Sequence, residues 1–255
     1  MTLRAGTLVL LSLALSAYAY SGTAPNAPNN NIPIHLGTAD QFALLGGSGI
    51  TNVSAHTYII GDVGSSPTPS VTGLKRSQVQ GLLFLKASPV TAKAQTGLTV
   101  AYNEAVAAPC GQDLTGQDLG GMKLIPGVYC FSSSAQLTGT LTLDAQGNPN
   151  SQWIFQTGST LTTASNSQVV MVLNGGRQVL PPWEKGQRGC NVYWQIGSSA
   201  TVGTGTIFVG KILALTSITL NGGVLRGKAL ARNGAVTMST RETVNGPPCV
   251  TSGQD

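Results

Sequence analysis

The sequence predicts an all-β solenoid with one long α-helix packed alongside. Three observations carry this. Thr201, Thr219 and Thr237 are eighteen residues apart each time, and Gly203, Asn221 and Ser239 keep the same step. A fixed period near twenty built from short strands is the mark of stacked coils. Within each repeat the residue types alternate: Ala200, Val202, Ile218, Leu220, Val236 and Met238 point one way, the threonines the other, because strand side chains switch faces at every residue. Finally, Val90 to Ala108 is the one long stretch with helical spacing, with Ala94, Leu98, Ala101, Tyr102 and Ala105 on one stripe.

Composition narrows the field. Of 255 residues, 9% are charged and 41% hydrophobic, with a net charge of +5. So few charges with so many apolar residues exclude disorder and imply a surface of neutral hydroxyl and methyl groups. The basic residues do not cluster, Lys75-Arg76 being the tightest pair, which argues against a nucleic-acid partner.

Met1 to Ala19 reads as a secretory signal: Arg4 supplies the positive start, Leu8 to Leu15 the apolar core, and Ala17-Tyr18-Ala19 a small-x-small cleavage site. The core is too short to span a bilayer, so no membrane partner is expected. Residues 20–34 are expected to form a flexible tail and 35–255 a single solenoid domain, secreted and extracellular. A monomer is expected, since no stretch reads as a dimer seam.

Within the domain, LGTADQFALL is a short amphipathic segment and Gly46 to Gly49 a turn cluster. Ile50 to Val53 and Thr57 to Val63 read as strands, and Pro69 to Leu85 as loop with short strand. Ser88 is a good N-cap and Pro89 suits the first helical position, which places the helix at about 88–108. Val128 to Phe131, Gln136 to Leu143, Trp153 to Gln156, Ser159 to Thr163 and Gln168 to Leu173 are expected strands. Along them Leu137, Leu141 and Leu143 face inward, and Thr138, Thr140, Thr160 and Thr162 outward. Gly175 to Gly189 reads as a polar insertion at a corner.

Four cysteines in a secreted chain suggest disulfides, and four allow three pairings. Cys110 and Cys130 flank one loop and are the favoured pair, which leaves Cys190 and Cys249 to pin the C-terminal end. No metal site is expected, because no Cys-x-x-Cys exists and His35 and His56 lie far from the cysteines. Asn52-Val53-Ser54 is a glycosylation sequon.

Several long segments are similar to the signature stretches of the DUF3494-type ice-binding proteins: LGTADQFALLGGSGITN, GQDLGGMKLIPGVYCFSSSAQLTGTLTLDAQGNPN, WIFQTGSTLTTAS, NVYWQIGSSATVGTGTIFVGKILALTSITLNGG and GKALARNGAVT. The resemblance covers roughly His35 to Thr243. It implies a right-handed β-helix of triangular section whose first coil sits, out of sequence order, beside the last coils. It also implies a cold-adapted, secreted protein that binds ice through one flat face, with no cofactor and no turnover. Thermal hysteresis and inhibition of ice growth and recrystallisation would follow. The irregular repeats resemble those of fungal members.

Physical chemistry points the same way. Ice is an uncharged lattice, held only by many weak contacts ordered at once. Threonine offers a hydroxyl and a methyl on a branched Cβ that restricts χ1, so it loses little entropy on binding. The outward set Thr138, Thr140, Thr160, Thr162, Thr201, Thr219, Asn221, Thr237 and Ser239 is therefore the candidate ice-binding face.

Two other classes compete. A polysaccharide-cleaving β-helix needs two carboxylates held across one bond, and no acidic residue repeats at the coil step. Asp113 and Asp118 sit in a loop as candidate turn formers, so catalysis is not expected. A secreted neutral-polysaccharide-binding or adhesive solenoid would show exposed aromatics. Trp183, in the polar insertion, is the one good candidate for such a ring.

Overall fold

The computed structural model describes residues 32–148, 150–174, 177–178 and 190–246. The leader, most of the tail, Trp183, nearly all of the Gly175–Gly189 insertion and Cys249 lie outside the described residues.

Parallel pairing arranges the coils into three walls. One wall is a seven-stranded sheet. Its strands run, in spatial order, Ala135–Leu137, Leu161–Thr163, Ala200–Val202, Ile218–Leu220, Ala235–Met238, Gly49–Asn52 and Val71–Thr72. The other two walls belong to one larger sheet that bends through a corner. Strands Thr206–Ala214 and Gly223–Ala231 cross that corner at Gly210 and Gly227. Gly227 has φ 156°, and a Cβ there would lie 1.8 Å from the Gly210 carbonyl oxygen, so only glycine fits. Before the corner these strands pair with Gln168–Asn174 and Glu242–Asn245. Beyond it they pair with Val192–Ile196 and Phe42–Gly46.

Coil order departs from chain order as the resemblance implies. Gly49–Asn52 lies beside Ala235–Met238, Phe42–Gly46 beside Gly223–Ala231, and Tyr58–Ile60 beside Glu242–Asn245. The N-terminal coil thus stacks on the C-terminal one.

The apolar half of each alternating strand fills the interior. Tyr129, Phe155 and Trp194 occupy equivalent positions on successive rungs and stack with centroids 5.5 and 3.9 Å apart. Phe208 extends the column at 4.9 Å. Offset stacking of this kind contributes beyond simple area burial.

The helix α1, Pro89–Ala107, begins where Ser88 accepts a hydrogen bond from the Val90 amide at 3.2 Å. Its stripe of Ala94, Leu98, Ala101, Tyr102 and Ala105 packs on Phe42, Leu45, Ile154, Tyr193, Leu213 and Leu230 of one wall. Gly97 allows the close approach: a Cβ there would lie 2.2 Å from the Leu36 carbonyl oxygen. At the other end Gln156 Nε2 donates to the carbonyls of Ala105 at 2.7 Å and Ala108 at 2.6 Å. These are the orphan acceptors that every helix C-terminus leaves.

Two expectations need correction. LGTADQFALL is not one amphipathic segment: Gly37–Gln41 is a 3-10 turn, and Phe42–Gly46 is a strand buried on both faces, between the core and α1. Gln136 to Leu143 is not one strand. It breaks into Ala135–Leu137 and Thr140–Asp144 around Gly139, whose φ of 89° turns the chain onto another wall. Residues 69–85 resolve into short strands Val71–Thr72 and Val79–Gln80 around a 3-10 turn. Cys110 and Cys130 form a disulfide, and Cys190 is also disulfide-bonded.

Candidate functional site

The seven-stranded wall carries a rank of aligned hydroxyls. Pairing places Gln136, Thr162, Thr201, Thr219, Thr237, Thr51 and Thr72 side by side, all outward. None of these seven is buried. At about 4.8 Å per rung, seven positions extend roughly 29 Å. The inward partners at the same strands, including Ala135, Leu161, Ala200, Ile218, Val236 and Ile50, are each 1% exposed or less. The rank is therefore backed by a packed core.

Small residues flank it. Two residues upstream lie Ser134, Thr160, Ser199, Ser217, Ala235, Gly49 and Ser70. Ser134 and Thr160 share a hydroxyl hydrogen bond of 2.8 Å, and Ser199 Oγ accepts from the Ser217 amide at 3.2 Å. Two residues downstream lie Thr138, Ala164, Gly203, Asn221 and Ser239, but on the two outermost rungs the larger Val53, which is 71% exposed, and Leu74. The ladder bonds Asn221 N to Val202 O and Ser239 N to Leu220 O hold that row in line.

The strands of this wall contain no charged residue. The nearest carboxylate at one end is Asp118, which bridges beside Gln136. Burial tends to raise its pKa, but hydrogen bonds from Thr138 and Gly120 outweigh this and hold it below the ordinary value. Asp118 Oδ1 accepts from the Gly120 amide at 2.7 Å and the Thr138 amide at 2.8 Å. Asp113 accepts from the Thr115 amide at 2.8 Å. Both acids build turns. Among the described residues no three His, Cys, Asp or Glu converge on a common point.

The remaining walls differ. One lies under α1. There Lys211 and Lys228 are buried, with Nζ atoms 3.3 and 3.8 Å from Asp40 Oδ1. Burial pushes Lys228 down to about 8, while Asp40 acts in the opposite direction. The other wall mixes Lys123, Thr140, Gln168, Ile207, Val224, Arg226, Thr243 and Tyr58 along its paired rungs.

The structure thus brings together eight of the nine residues expected at the face: Thr138, Thr160, Thr162, Thr201, Thr219, Asn221, Thr237 and Ser239. Thr140 is the exception. It stands beyond the Gly139 corner and pairs with Gln168 on the mixed wall. The sequence reading missed Gln136, Thr51 and Thr72. The signal for Thr51 and Thr72 was a triplet, small–apolar–Thr: Gly49-Ile50-Thr51 and Ser70-Val71-Thr72 match Ser217-Ile218-Thr219, but at other spacings, whereas Ser134-Ala135-Gln136 lacks the threonine. The sequon residue Asn52 lies at the end of the strand that carries Thr51. It is 5% exposed, and its Nδ2, the atom a glycan would take, donates to Ser54 O at 2.6 Å and Gly73 O at 2.9 Å. The fold buries it as a corner tie.

A β-helix with one wall covered by a helix and another left flat, uncharged and ranked with hydroxyls is a surface binder. It presents a periodic plane of in-register side chains. The family model of ice-binding-like proteins matches residues 44–244, and the chain belongs to that family. It is 48% identical over 246 residues to an ice-binding protein of Nostoc sp. (strain HG1), covering 96% of this chain and 85% of that one. An ice-binding protein of Leucosporidium sp. (strain AY30) is 29% identical, covering 93% and 92%. The crystal structure of an ice binding protein from an Antarctic biological consortium matches with a TM-score of 0.72 at 39% identity, covering 83% of this chain and 90% of that one.

Proposed function

We propose that this chain binds ice through its seven-stranded wall, and so slows crystal growth, inhibits recrystallisation and produces thermal hysteresis. The observation that carries this reading is the in-register rank of six threonines on an uncharged sheet. Strand spacing fixes the hydroxyls in one direction and the pleat in the other. The branched Cβ of each threonine limits its rotamers, so an ordered layer of water can form over the rank at little entropic cost. The relatives named as ice-binding proteins support the ligand, and the family model supports the scaffold.

In this reading the protein is a non-catalytic monomer acting outside the cell. The Met1–Ala19 leader and the oxidised cysteines favour secretion. Among the described residues no helix is long and apolar enough to cross a membrane.

The test is ice shaping and thermal hysteresis of the disulfide-intact protein with two variants. Thr219→Tyr puts a bulky ring at the centre of the rank and should abolish most of the hysteresis with the fold intact. Thr140→Tyr, on the mixed wall, should leave it unchanged. The reverse pattern would move the site to the mixed wall, and no shaping by folded parent protein would reject ice as the ligand.

A further inference from the structure

We infer that Asn52 is a positioning residue that extends the ice-binding rank, holding the out-of-order first coil so that Thr51 and Thr72 join the face. This rests on the function proposed above and assigns a role to a side chain that touches no ice.

The register exposes an anomaly. Asn52 stands inward, in line with Met238, Leu220 and Val202 on the next rungs. Those rungs fill the position with an apolar side chain; the first coil fills it with an amide. An inward amide is costly unless every polar atom is satisfied. Here it is: Nδ2 donates to Ser54 O at 2.6 Å and Gly73 O at 2.9 Å, while Oδ1 accepts from Thr57 Oγ1 at 2.7 Å. Gln78 completes the corner, donating from Nε2 to Ser54 O at 3.1 Å and Ala55 O at 3.2 Å.

The need for such a tie follows from where it sits. Val71–Thr72 is the outermost strand of the wall and has two residues. Only Ile50↔Val71 and Thr51↔Thr72 define its register. A ladder that short, paired on one side, frays unless side chains reinforce it. The bond from Asn52 Nδ2 to Gly73 O joins the two strand ends directly. Gly73 has φ 72°, and a Cβ there would lie 1.8 Å from Asn52 O, so the two residues are fitted to one another. Their closeness brings Thr72 Oγ1 within 3.3 Å of Thr51 Oγ1, continuing the hydroxyl rank by two rungs.

The experiment measures thermal hysteresis and thermal unfolding for parent, Asn52→Leu, Thr72→Tyr, the double variant and Thr162→Tyr. Asn52→Leu restores the apolar residue the other rungs use and removes the amide tie. It should lower hysteresis to the level of Thr72→Tyr while the melting transition stays cooperative. The double variant should fall no further, because both changes remove the same outer rungs. A Thr162→Tyr change added to Asn52→Leu should fall further. An Asn52→Leu protein with parental hysteresis would overturn the inference while leaving the ice reading intact. So would a double variant in which the losses simply add, since global loosening would also depress activity in the Thr72→Tyr background. Should Asn52→Leu not fold, Gly73→Ala, which breaks the same junction from the partner side, replaces it with the same expected outcomes. A folded parent without ice shaping would reject both readings.

Discussion

Replacing Glu242 with glutamine should abolish a pH dependence of stability built into one corner of the coil. Glu242 is 2% exposed, and its Oε2 accepts from the Gly222 amide at 3.0 Å. Burial pushes its carboxyl up to about 7, the Gly222 hydrogen bond only partly offsetting this. In the unfolded chain the ordinary value is 4.5. The folded state therefore binds the proton more tightly, so stability is full below about 4.5 and is lost as pH rises through about 7. A shift of this size corresponds to about 3 kcal/mol across the window. Glutamine keeps a carbonyl oxygen for the Gly222 amide and cannot ionise. The variant should match the parent near pH 4.5 and exceed it by up to about 3 kcal/mol near pH 8. Urea unfolding at fixed ionic strength between pH 4.5 and 8.5 reads this directly, and the parent-minus-variant difference isolates Glu242 from every other titrating group. A difference that stays constant with pH would refute the argument.

Two further changes test the scaffold. Phe155→Ala opens the stacked column between Tyr129 and Trp194 and should cost about 4 kcal/mol, lowering Tm by about 10 °C in a calorimetric scan. A drop of only a degree or two would mean the column closes over the gap. Gln156→Ala leaves the carbonyls at the end of α1 without their donor. It should cost about 2 kcal/mol and speed hydrogen exchange in the helix's last turn. Unchanged exchange there would show that water serves those carbonyls equally well.

The coil scaffold was legible because its physical cause is local. Alternation of apolar and hydroxyl residues is written into each strand, and the Ser88-Pro89 boundary into the helix start. What the sequence obscured was non-local. Phe42–Gly46 reads as the apolar end of the amphipathic stretch LGTADQFALL, yet it is a strand buried on both sides because a helix forty residues later covers it. The Gly139 corner is equally hidden: the Leu/Thr alternation continues through it unbroken, so parity survives while the wall changes. Thr140 is outward, as its neighbours suggest, but outward from a different side.

The face itself was legible where coils have equal length and illegible where they do not. Thr201, Thr219 and Thr237 keep one step because the coils between them are uniform. Thr162 and Gln136 belong to the same rank at unequal spacings, and Thr51 joins it beside Thr237 from the opposite end of the chain. Period alone cannot find these residues, but core pattern can. On a strand, a slip of one residue exchanges the two faces completely. Sliding Ile218–Leu220 by one would bury Thr219 and expose Ile218 and Leu220, each of which is now fully buried. The hydrophobic penalty that fixes the core thus fixes the threonine rank with it. Stability and the proposed binding surface are two readings of one alternation, so the apolar residue before each threonine is the better guide to the face than the distance from one threonine to the next.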